Sequence, residues 1–209
     1  MQNLFPISFP KFEDFFQDWF IDSIPNYHCQ SAEISLQNDS HKLLDVVHPK
    51  YHNYKNIDWS QGKVFIFWNT ALIPAPIHSD VYRLDERITL GHAVSFNLYN
   101  TSTVNFYDIT DLEKAEKYVR PKDDVVSEEL DTMYKKFENT NAVVYTTDKE
   151  PMETHSIGIN ETCIMNTLTP HQVLAEPKRI NISVRCSHFN GSSWSDMIDF
   201  FKDDIKIIS

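Results

Sequence analysis

The chain has 209 residues, 41% hydrophobic and 13% aromatic, which suits one folded domain and excludes a disordered chain. Its formal net charge of -11 offers no basic footprint for nucleic acid or an anionic membrane face. Three scattered cysteines, Cys29, Cys163 and Cys186, exclude a disulfide framework or a thiolate zinc site and predict buried thiols in a reducing cytosol.

Phe12, Phe15, Phe16, Trp19 and Phe20 share one helical face, with Glu13, Asp14, Gln17 and Asp18 opposite. The spacing predicts a core-covering helix, the alternative being a partner-binding face. Met1–Pro6 carries no basic region leading into an apolar run, and nowhere does an apolar stretch reach the length of about eighteen residues that a membrane helix needs. A cytoplasmic, unexported protein is therefore expected. Between residues 25 and 60, His28, His41, His48 and His52 sit among polar residues and read as surface histidines. Lys63–Trp68 is apolar, β-branched and aromatic, predicting a buried strand. Pro74 and Pro76 then hold the chain extended up to His78.

Residues 88–98 and 104–109 predict two further strands, joined as a hairpin through the turn-like Tyr99-Asn100-Thr101-Ser102-Thr103. Residues 111–139 are charged and helix-favouring, broken at Pro121. They predict a helical insertion that is either a solvated face or a lid over a site. Strand character returns at 142–146 and 162–166. In the last strand Ile180, Ile182, Val184 and Cys186 alternate with Arg179, Asn181, Ser183 and Arg185, so one face is apolar and the other strongly polar. Were helices to cover the apolar face, the polar row would line an interior. Trp194, Met197, Ile198, Phe201, Ile205 and Ile208 supply a second helical stripe behind Ser193 as N-cap. Helices at both ends are thus available as that cover.

The chemistry centres on Ile77-His78-Ser79-Asp80. In an extended segment His78 and Asp80 point the same way and can grip one metal ion together. His171, in Thr169-Pro170-His171-Gln172-Val173, can add a second imidazole. Two histidines and one carboxylate on one face of an iron leave the opposite positions open for a co-substrate and dioxygen. Arg179, eight residues beyond His171, brings a planar fork suited to a carboxylate.

On these residues the chain resembles the iron(II)- and 2-oxoglutarate-dependent dioxygenases. The resemblance covers roughly residues 63–186 and rests on Pro76-Ile77-His78-Ser79-Asp80, Ser95-Phe96-Asn97-Leu98-Tyr99, and Pro170-His171 with Arg179-Ile180-Asn181-Ile182-Ser183. It is nearest to the aspartyl/asparaginyl and prolyl hydroxylase-like branch. The resemblance implies a mainly β, double-stranded β-helix (jelly-roll, cupin-like) barrel with helices at both termini, within a single domain of residues 1–209. It implies Fe(II) on His78, Asp80 and His171, and 2-oxoglutarate on Arg179, with Asn181, Ser95 and Asn97 as further co-substrate contacts. With molecular oxygen, 2-oxoglutarate would be decarboxylated to succinate while a C–H bond of an amino-acid, peptide or small-metabolite substrate is hydroxylated. Two positions depart from the family: the eight-residue gap from His171 to Arg179 is slightly short, and Asn181 stands where many members have a hydroxyl.

Arg185 and His92 are candidate substrate contacts. Arg185 lies about 20 Å along the strand from Arg179, where it either meets an acidic substrate group or pairs with a surface carboxylate. His92 has the opposite strand parity from Ser95 and Asn97. Two other classes remain open: a cupin-like metal- or sugar-binding barrel without oxygenase chemistry, and a purely structural jelly roll. Neither needs a co-substrate arginine.

Overall fold

The structure, a computed structural model, describes residues 1–29, 40–68, 76–79, 82–83, 89–90, 92–114, 143–186 and 193–206. Period-two alternation runs through most of its strands, and it assembles them into two antiparallel sheets, making the protein mainly β. The first sheet runs, in spatial order, β1 (Leu4–Pro6), β12 (Glu161–Asn166), β7 (His92–Leu98), β14 (Ile180–Cys186), β3 (Gly62–Trp68) and β2 (Ser40–Lys42). The second runs β11 (Glu153–Ile157), β8 (Ser102–Phe106), β13 (His171–Ala175), β4 (Ile77–Ser79), β10 (Val143–Thr146) and β9 (Glu113–Lys114). A small ladder pairs β5 (Tyr82–Arg83) with β6 (Thr89–Leu90).

Both faces of the first sheet are covered. On its outer face Val64, Ile66, Val94, Phe96, Ile164, Ile180, Ile182 and Val184 join Phe15, Phe16, Phe20, Trp194, Met197 and Phe201 in one buried cluster. The helices that supply this cover are α1 (Phe12–Phe15), α2 (Asp18–Cys29), α3 (Leu43–Val46) and α4 (Trp194–Phe201). The last begins at Ser193, whose side chain accepts from Asp196 N while the Asp196 carboxylate accepts from Ser193 N, a reciprocal capping box. On the inner face, Leu4, Cys163 and Met165 meet Val104, Phe106 and Ile157 of the second sheet. The two sheets therefore face one another across a second, smaller core. Among the described residues no helix is long and apolar enough to cross a membrane.

The buried strand expected at 63–68, the strands near 143–146 and 161–166, and the Ser193-capped helix are present, but that helix ends at Phe201, and Ile205, expected on its stripe, instead bridges Ile7, while Ile208 lies outside the described residues. Three expectations are corrected. The aromatic stripe is not one helix: Phe16 is extended (φ -96, ψ 159) and bridges Val47, while Gln17 N donates to Val46 O at 2.8 Å and His48 N to Phe15 O at 2.8 Å. Pairing with residues 46–48 wins over helix continuity, and the restart turns Trp19 outward, 49% exposed.

The strands at 92–98 and 102–106 are not a hairpin, because β7 pairs with β12 and β14 whereas β8 pairs with β11 and β13. Tyr99 and Asn100, both at positive φ (49 and 39), turn the chain from one sheet to the other. Likewise β13 and β14 belong to different sheets, and Lys178 at φ 64 marks the corner between them. At the start of the expected helical insertion, Glu113–Lys114 is a strand paired with Tyr145 and Thr146. Residues 115–139 of that insertion lie outside the described residues. The strand β11 is an element that the sequence reading lacks.

Candidate active site

Prolines set up both histidines. Pro76 leads into β4 and Pro170 into β13, and the second disfavours a helical conformation for Thr169 before it. His78 and His171 then become direct Cα partners across the β4–β13 ladder, with ring centroids 4.5 Å apart. Both are buried. His78 Nδ1 lies 2.8 Å from Pro76 O and His171 Nδ1 lies 2.9 Å from Thr169 O. A carbonyl only accepts, so each Nδ1 donates, and in the neutral ring the lone pair sits on Nε2. Phe106, the register partner of His171 on β8, packs its ring 6.0 Å from the imidazole.

Asp80 lies outside the described residues, one position beyond Ser79. Among the described residues no group of three His, Cys, Asp or Glu side chains gathers as a metal cluster. They supply the histidine pair, and its chemistry suits a divalent transition metal: two imidazoles on adjacent strands, each with Nδ1 turned to a backbone carbonyl.

The polar row of β14 faces inward, as its alternation requires once helices take the other face. Arg179 is buried, and its Nε donates to Asn97 Oδ1 at 2.7 Å. Asn97 in turn donates through Nδ2 to Asn100 O at 2.9 Å and to Gly158 O at 2.8 Å. Those two bonds fix the amide so that its oxygen meets the guanidinium. Among the described residues no carboxylate pairs with Arg179. Burial pushes its guanidinium down to about 10, and burial likewise pushes the Cys163 thiol up to about 12. A cation held in this way is poised for an anionic ligand.

Asn181 is the Cα partner of Asn97, and its buried Oδ1 has no hydrogen-bond partner. Ser95 is the Cα partner of Ser183, and both are buried on the same inner face. Arg185 is not a surface residue: it is 2% exposed, with Nε donating to Ser183 Oγ at 3.3 Å and Nη1 to Thr167 Oγ1 at 3.2 Å. Its guanidinium lies 5.7 Å from the centroid of the Phe65 ring. The expectation of a surface position for Arg185 is therefore corrected. His92 sits on the opposite face from Ser95 and Asn97, its ring 5.4 Å from that of Trp194. It is packed under the C-terminal helix and separate from the inner row.

His48 and His52 serve local structure, His48 Nδ1 accepting from Lys50 N at 3.2 Å and His52 Nε2 lying 3.0 Å from Val47 O. The inner face also holds residues that sequence reasoning passed over. Phe106 carried a signal, since it alternates in step with Val104. Glu153 and His155 carried none, because no periodic apolar run marks their strand.

No family model matches the sequence, and no curated protein matches it. Solved structures that match include the X-ray structure of E. coli ycfD, at 12% identity and a TM-score of 0.32, over 68% of this chain and 28% of that one. This chain thus spans less than a third of that chain's length. The reading that follows rests on the residues themselves.

Proposed function

We propose that the protein is an Fe(II)- and 2-oxoglutarate-dependent dioxygenase, hydroxylating a C–H bond of an amino-acid, peptide or small-metabolite substrate within a jelly-roll barrel. Strand order supports the barrel. Take β3, β4, β7, β8, β11, β12, β13 and β14 as first to eighth. One sheet then contains sixth-third-eighth-first and the other fifth-fourth-seventh-second. That is the arrangement of two interleaved Greek keys.

One observation carries the functional reading. A registered histidine pair and a buried arginine without a carboxylate partner among the described residues lie on inner faces of two facing sheets. His78 and His171 would hold the iron with Asp80, and Arg179, oriented by Asn97, would hold the distal carboxylate of 2-oxoglutarate. The metal would supply the redox chemistry that activates dioxygen when bound. The chain's own contribution is to fix both imidazole tautomers, to orient the co-substrate by its far end, and to keep water from the inner space.

Anaerobic titration with iron(II) and then 2-oxoglutarate tests this reading. The expected result is iron binding followed by the weak visible charge-transfer band of the chelated co-substrate. Iron binding without any response to 2-oxoglutarate would leave a metal-binding barrel lacking oxygenase chemistry.

A further inference from the structure

We infer that Asn3 and Glu153 are positioning residues for His171, acting through Thr169; this rests on the reading of His171 as a metal ligand. The His171 ring presents Nδ1 to the Thr169 carbonyl, 2.9 Å away, a contact that favours the Nδ1-protonated tautomer. What holds that carbonyl in place is a closed set of polar contacts reaching two distant strands. Thr169 Oγ1 donates to Asn3 Oδ1 at 2.9 Å, and Asn166 Nδ2 donates to Asn3 Oδ1 at 3.0 Å and to Thr169 Oγ1 at 2.9 Å. Asn3 O also accepts from Asn166 N at 2.9 Å. The Asn3, Asn166 and Thr169 side chains thus form a triangle.

Glu153 anchors that triangle. Its Oε2 accepts from Asn3 N at 3.0 Å and its Oε1 from Asn3 Nδ2 at 3.1 Å, so both carboxylate oxygens are engaged by one residue. Asn3 is itself buried. His155 Nε2 lies 3.1 Å from the same Oε2, so Glu153 has a further partner. Across the sheet Glu153 is the register partner of Phe106, which is the register partner of His171. Phe106 packs against His155 (5.9 Å) as well as His171 (6.0 Å).

The far side of the segment is also tied, since Pro170 O accepts from Tyr107 N at 2.9 Å. These bonds tie Thr169 to Asn3 and Asn166, and the carbonyl of the residue so held is the one that faces His171 Nδ1. Glutamine at position 153 would offer one acceptor to the two Asn3 donors. Valine at position 169 would keep the shape of the side chain and lose the hydroxyl that joins it to Asn3.

The test uses metal-free, nitrogen-15-labelled protein, reading the His171 tautomer from long-range proton–nitrogen spectra, with iron(II) affinity measured anaerobically in parallel. Wild type should show one His171 tautomer, protonated on Nδ1. Asn3→Ala, Glu153→Gln and Thr169→Val should each bring in the Nε2-protonated form and weaken iron binding about 10–100-fold. Thr169→Ser should restore both. A structural role alone would lower the melting temperature and leave both readouts unchanged. Wild-type tautomer and affinity in folded Asn3→Ala and Thr169→Val protein would overturn the inference. Should wild type bind no iron, the reading of His171 as a ligand fails, while the tautomer spectra still decide the positioning claim.

Discussion

The two faces of β14 are buried by different partners and respond to different demands. Ile180, Ile182 and Val184 meet helices in a continuous apolar core, where burial of hydrocarbon supplies stability. Arg179, Asn181, Ser183 and Arg185 are buried too, yet among the described residues the Arg179 guanidinium has no carboxylate partner and the Asn181 amide oxygen has no donor. Burying such groups opposes folding. That contrast between the two faces of one strand is what the proposed site rests on, and it tells the two kinds of burial apart.

Substitutions on the two faces should therefore fail in different ways. The largest effect is expected at the histidine pair: His78→Ala or His171→Ala should weaken iron(II) binding by more than about 100-fold, beyond what loss of an outer hydrogen-bond partner does, with the fold retained. Asp80→Ala should follow them. Wild-type affinity in any of the three would remove that residue from the site. On the apolar face, Ile182→Ala should cost about 2–5 kcal/mol in stability by denaturant titration. The surviving folded protein should bind metal and co-substrate normally. A loss of binding larger than the loss of folded protein would mean that the faces are not separable.

The same contrast predicts an unusual sign at Arg179. Because this cation is buried with no carboxylate partner among the described residues, Arg179→Met should leave the ligand-free melting temperature unchanged or raise it, consistent with gains of about 1–4 kcal/mol when buried charges give way to apolar groups. A marked fall would show that the guanidinium stabilises the fold. The smallest effect is expected at Trp19. It lies half exposed beyond the break at Phe16, so Trp19→Gln should shift stability by about 0.5 kcal/mol or less. In a continuous helix with Trp19 in the core, the loss would be about 3–5 kcal/mol.

Alternation was the legible part of this fold. Residues 180–186 announced a two-faced strand, and Lys63–Trp68 announced a buried one, because side-chain period is a local property of the chain. Sheet membership was not legible: β7 to β8 and β13 to β14 look like hairpins, and only long-range pairing sends their halves to opposite sheets. The break at Phe16 was hidden for the same reason, since its cause is backbone pairing with Val46–His48, some thirty residues away. Within the candidate site, motif and resemblance singled out His78, His171, Arg179 and Asn97, and the fold pairs the two histidines and bonds Arg179 to Asn97. The Asn3–Glu153 clamp was not, because its partners lie far apart in sequence and none stands in a recognisable pattern.

The central claim is that the inner face of β14 is a co-substrate site anchored by Arg179, and paired measurements of metal and 2-oxoglutarate affinity test it most directly. Wild type, Arg179→Gln and Arg185→Gln would be titrated anaerobically with iron(II) and then with 2-oxoglutarate. The account predicts that Arg179→Gln keeps its iron affinity and loses about 2–5 kcal/mol of 2-oxoglutarate binding, the range for stripping one partner from a buried charge pair, while Arg185→Gln loses much less. The reverse order would move the co-substrate to the other end of the strand, and indifference of both variants would contradict the account.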